Sequence, residues 1–137
     1  MYYLEPNLQV VAGGNIHPSR VVKLSTAADN TVLESAASTS ANIGIAQQGS
    51  RRAPGTGDDD GYCAIATENV GVYGPGSGQA PGQLGGTVTR ADTVTSDGSG
   101  QIITTTSDAD VIIGWAMESG VSGDIVTILV QPGYRTQ

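Results

Sequence analysis

Few residues in this 137-residue chain are of the types that do chemistry, and their spacing limits what they could do. The single histidine, His17, stands before Pro18. No second histidine, cysteine or clustered carboxylate lies near it in sequence to complete a metal site or a catalytic triad. It reads as a surface or interface histidine. The single cysteine, Cys63, sits in an alternating run and reads as a small buried apolar side chain. To act as a nucleophile it would need His17 beside it in space. Asp58, Asp59 and Asp60 offer oxygen atoms to a hard cation, but consecutive aspartates do not present the alternate-position ligands of a calcium loop. They read as a solvated acidic tip or, with Arg51 and Arg52 of the same loop, as an ion pair to a neighbouring subunit. Residues 74–78, GPGSG, have the glycines of a phosphate loop without its lysine or a following helix. Asp97, Gly98 and Ser99 match an aspartic-protease triplet only loosely and fit better as a tight turn between two strands. The chain therefore reads as a non-enzyme, with no catalytic residue, no cofactor and no metal.

The elements that would carry these residues are strands. Val and Ile number 23 against 6 Leu, and there is no Phe. β-Branched side chains suit a pleated, half-buried surface, so the balance argues for an all-β fold. The length fits one domain. Large apolar side chains are scarce enough that a lone copy has a thin core, so part of the stability is expected from burial against other subunits. The formal charge of −7 opposes nucleic-acid binding, which needs a basic face. One cysteine excludes an internal disulfide. No signal peptide and no stretch long enough for a membrane span stand out.

Residues 111–130, VIIGWAMESGVSGDIVTILV, are the strongest hairpin signature, two apolar arms around Gly120, Ser122, Gly123 and Asp124. Trp115 on the first arm is expected in the core or at an interface, together with Ile113 and Ile43. Shorter strands are expected over 20–24, 31–34, 42–47, 93–95 and 101–105, and a second hairpin over 62–67 and 70–73. Residues 49–61 read as a loop. Residues 74–86 are so rich in Gly and Pro that they read as a linker or surface loop.

The halves repeat. Displaced by 70 positions, Arg20, Leu24, Val32, Ile43, Gly44 and Ala46 fall on Arg90, Val94, Ile102, Ile113, Gly114 and Ala116, sharing an I-G-x-A strand. The ends VYGPG and VQPG match at 57. This predicts a compact β-barrel or sandwich-like domain over 15–137, with pseudo-repeated halves 15–76 and 87–133 joined by 74–86. Residues 1–14 precede it as an extended N-terminal arm, cut off by Gly13 and Gly14.

Together these parts resemble the small decoration, or cement, proteins of tailed-bacteriophage heads. The residues that carry the resemblance are Gly13, Gly14, Ile16, Pro18, the strand 21–24, the two I-G-x-A strands and the terminal strand 125–130. The resemblance implies a non-enzymatic homotrimer on the outer capsid surface of the virion, assembled in the host cytoplasm. Its partners would be the major capsid protein and itself, with no membrane and no nucleic acid. Such a protein stabilises the shell by bridging capsid subunits, and Tyr2, Tyr3, Leu4 and Leu8 of the arm would do the capsid binding. Two other functions fit the composition. A head-fibre or adhesin module binding host carbohydrate would use exposed aromatics such as Tyr62, Tyr73 and Tyr134. A trimeric β-fold nucleotide hydrolase would need acidic and phosphate-binding motifs that do not stand out.

Overall fold

The fold is described from a computed structural model, covering residues 8–48, 61–106 and 110–134. Ten strands appear in order: β1 (Leu8–Ala12), β2 (Val21–Leu24), β3 (Thr31–Glu34), β4 (Asn42–Ala46), β5 (Asn69–Tyr73), β6 (Gly78–Gln83), β7 (Thr93–Ser96), β8 (Ile102–Thr104), β9 (Val111–Ala116) and β10 (Ile125–Tyr134). The first five close into a barrel in the order β1-β3-β2-β4-β5, and the last five form a sheet in the order β6-β10-β9-β7-β8. The all-β fold expected from the β-branched composition is present, and so are the two related halves expected from the repeat.

The two halves have one topology. β2 pairs with β3 and β4, β4 with β5 and β5 with β1; in the same way β7 pairs with β8 and β9, β9 with β10 and β10 with β6. The parallel pairing of β1 and β3 that closes the barrel is reduced in the second half to one parallel bridge, Leu84 to Ile102. The left-handed backbone positions repeat as well. Ser19 and Ala91 both adopt positive φ, as do Thr67 and Gly123.

The ladders refine the sequence alignment. Gly44 lies opposite Val22 as Gly114 lies opposite Val94, so the displacement of 70 holds for β4 and β9 but is 72 for β2 and β7. Leu24 therefore corresponds to Ser96, and Arg20 to Asp92. Ala46 lies opposite Val72 as Ala116 lies opposite Ile128, which sets the last strands 56 apart instead of 57.

Three expectations about the strands are corrected. The arm read over 1–14 does not extend through Leu8–Ala12, which is β1, paired antiparallel to β5 and parallel to β3. Residues 1–7 lie outside the described residues. The Gly/Pro-rich stretch 74–86 contains β6, which tolerates Pro81 because it is an edge strand whose ladder runs along β10 alone. The second hairpin is also reduced: β5 forms, whereas residues 62–67 contribute a single bridge, Ala64 to Ile16.

The core has two parts. Inside the barrel, Ala12, Val22, Val32, Ala46, Val70 and Val72 pack with Ile16, Cys63 and Ala64, and Leu8, Val10 and Ile43 lie partly buried against them. The larger cluster fills the second sheet with Leu84, Val94, Ile102, Ile113, Ala116 and Ile128, and three residues of the first half, Val21, Ile45 and Tyr73, complete it. The outer side of the barrel thus plugs the inner side of the second sheet.

The I-G-x-A motif has a backbone cause. A Cβ at Gly44 would strike the carbonyl of Tyr73, and one at Gly114 would strike the carbonyl of Leu129. Both glycines let two strands approach where no side chain fits. Alternation breaks at the same place. Lys23 lies opposite Asn42 and Val22 opposite Gly44, which leaves Ile43 as a bulge. Ile113 and Ala116, three residues apart, consequently both face the core. This reverses the phase of Trp115, which is 46% exposed and not in the core.

Candidate functional site

Among the described residues, polar chemistry gathers where the halves meet. His17 precedes β2, and its backbone N–H donates to Glu34 Oε2 at 2.8 Å, the same oxygen that lies 2.8 Å from its Nδ1. Arg20 Nη1 stands 3.8 Å from Glu34 Oε1. Its Nε donates to Gln83 Oε1 at 3.0 Å and its Nη1 to the Ser99 carbonyl at 2.8 Å. Arg20 of the barrel therefore grips both β6 and the β7–β8 turn, while the backbone N–H of Val21 donates to Gly100. Tyr62 packs its ring on His17 at 4.8 Å. Most partners of this group are spoken for within the chain, so it works as a clamp between the halves.

Cys63 lies beside this clamp, its N–H donating to the Ile16 carbonyl. Burial pushes its thiol up to about 12, with the Glu34 charge adding to the effect, so it stays protonated at neutral pH. A thiol held in that form is a packing residue, not a nucleophile. Asp97 acts as the turn residue expected, its Oδ1 accepting from Ser99 and Gln101 backbone N–H groups. Asp58, Asp59, Asp60, Arg51 and Arg52 lie outside the described residues. A shallow depression of about 310 Å³ opens beside the β2–β3 turn, lined by Lys23, Leu24, Leu33 and Ser40 among others. It is open, and Lys23 is the one charged side chain in its lining.

The surface that stands out is the outer face of the second sheet. Directly opposite residues on paired strands share a face. Trp115 lies between Thr93 on β7 and Leu129 on β10, and Leu129 in turn faces Gln79 on β6. The next row begins at Met117, whose N–H donates to the Thr127 carbonyl, and Thr127 faces Pro81. Ile125 and Gln83 form a third row. Met117 and Ile125 are 46% and 52% exposed. The five strands of this sheet contain no Asp, Glu, Lys or Arg, in a chain whose formal charge is −7. At the rim, Glu118 accepts a hydrogen bond from the Thr127 N–H, and Thr127 holds its carboxyl below the usual range. A sheet face with no charged residue in its strands and with Trp115, Met117 and Ile125 exposed is suited to contact with another protein surface.

Of the residues singled out in the sequence, Ile113 is fully buried and Ile43 partly so. Leu8 belongs to the barrel wall, and Tyr2, Tyr3 and Leu4 lie outside the described residues. Tyr73 is buried between the halves. The contribution of Met117, Ile125 and Leu129 to one face was missed. Its signal was the repeat itself, because Trp115 stands where the first half has Ile45.

No family model matches the sequence, and no curated protein does. Among solved structures, the chain superposes on the N base of the head fiber gp8.5 of bacteriophage phi29 with a TM-score of 0.55 and 15% identity. The superposition covers 95% of this chain and 97% of that one, so the likeness is one of whole fold.

Proposed function

We propose that this chain is a non-enzymatic structural protein of a bacteriophage head, fixed on the outer capsid surface, where it bridges subunits of the major capsid protein. The observation that carries the reading is the fold shared, end to end, with the base of a head fiber. Two features of the chain support it. The acidic charge suits a surface turned to solvent and away from packaged nucleic acid. The polar groups of the described residues are spent largely on turns and on the clamp between halves, and the one thiol is held protonated.

The shell contact is assigned to the first seven residues, whose Tyr2, Tyr3 and Leu4 can anchor a segment that adds to a strand edge of a partner. A second reading, in which the chain is the base of a fibre and carries a distal element away from the shell, draws on the same structural likeness.

Purified chain mixed with phage heads that lack it should pellet with them at a fixed ratio per head. A chain lacking residues 1–7 should remain in the supernatant. Full-length chain that stays wholly in the supernatant overturns the reading.

A further inference from the structure

The outer face of the second sheet has a counterpart in the first half, and there the molecule shows what covers it. Ile45 lies opposite Tyr73 as Trp115 lies opposite Leu129, and Val21 corresponds to Thr93. In the first half this row is buried by the second half, so one β-unit seats on the face of another copy of the same unit. In the second half the same row is open, and its central residue is Trp instead of Ile.

We propose that the Trp115 face is where a second copy of this chain docks. Three observations converge on that occupant. The fold already contains one unit-on-unit contact through the corresponding row, at Ile45 and Tyr73. Copies of charge −7 repel one another, and the least costly approach is through a surface poor in charge; no charged residue lies in any strand of this sheet, and Glu118 stands at its rim on Thr127. The exposed Trp115 and Met117 are of the types enriched at the centre of stable interfaces, and exposed Ile125 and half-buried Leu129 extend the apolar surface beside them. The second copy does not repeat the internal contact, since its own second sheet is already plugged by its own barrel. It meets the Trp115 row with an outer surface.

The inference does not depend on the phage-head reading, and its test uses the purified chain with no heads present. Sedimentation velocity of the full chain should show an oligomer, and the fluorescence of Trp115, the one Trp, should be shielded from iodide in that species. Trp115→Arg and, separately, Ile125→Lys should shift the chain to monomer with circular dichroism unchanged. Leu24→Arg, a change at an equally exposed apolar residue of the first half, should leave the oligomer intact. Ile125→Lys decides the matter if Trp115→Arg fails to fold. A wild-type chain that is monomeric at every concentration with Trp115 open to iodide overturns the proposal, even if the face then proves to bind heads. So does an oligomer that persists in both face variants.

Discussion

Ile45 and Trp115 hold the same place in the two halves, yet Ile45 is fully buried and Trp115 is nearly half exposed. Each follows the glycine of an I-G-x-A strand, and each faces away from the core of its own half. Ile45 is covered because the second sheet closes over it. Gly82 lies against the same core, where a Cβ would strike Ile102 Cδ1 and touch Ile45 Cδ1 at 3.4 Å.

That relationship predicts unequal responses to truncation. Ile45→Ala should destabilise the fold by about 2–5 kcal/mol, as large-to-small changes in a core do. Trp115→Ala in the monomer should cost far less, about 0.5 kcal/mol in the manner of surface substitutions. Urea unfolding of the two variants, followed by far-ultraviolet circular dichroism, measures the difference.

The glycines of the repeated motif tolerate no side chain. Gly114→Ala and Gly44→Ala each drive a Cβ into a facing carbonyl, so backbone must separate. The loss should exceed the about 1–3 kcal/mol typical of overpacked side chains, because a ladder gives way rather than a rotamer. Thermal unfolding of both variants should show the same large drop.

Much of this was legible in the sequence, for identifiable reasons. The repeated I-G-x-A is a backbone requirement, so it survived in both halves and marked β4 and β9. Val and Ile runs marked most of the other strands. Three things were not legible. The bulge at Ile43 and the matching break after Ile113 reverse the alternation, so a pattern read from Ile113 puts Trp115 on the wrong side. β6 carries Gly and Pro because it is an edge strand crowded by Ile102 and Ile128, and composition alone does not separate such a strand from a loop. β1 lies ahead of Gly13 and Gly14, which mark a turn inside the barrel instead of a boundary.

The position of β1 gives a deletion test. Removing residues 1–12 takes out a barrel strand and should abolish cooperative unfolding. Removing residues 1–7 should leave the thermal midpoint nearly unchanged. Differential scanning calorimetry of the two truncations separates the outcomes.

Arg20 joins the halves through Gln83 and Ser99. Arg20→Ala removes both bonds, one of them part-buried and one exposed, and should cost about 0.5–1.5 kcal/mol. Amide exchange should then quicken at the N–H groups that bond across the halves, such as those of Val21 and Gln83.

Cys63 sets an alkaline limit. Its thiol is raised in the fold from 9.0 to about 12, so the unfolded chain loses the proton first. The stabilising contribution is complete below pH 9.0 and disappears as pH rises towards about 12. Native protein at pH 8 should resist a thiol reagent, and Cys63→Ala should flatten the fall in stability above pH 9.0.

The proposed place of the chain on the shell can be seen in a cryo-electron-microscopy reconstruction of heads that carry it. Density for the two-part β fold is expected at regular sites on the outer shell, each touching more than one major capsid protein subunit. A shell whose outer surface lacks that density, although the chain is present in the same virions, would contradict that place.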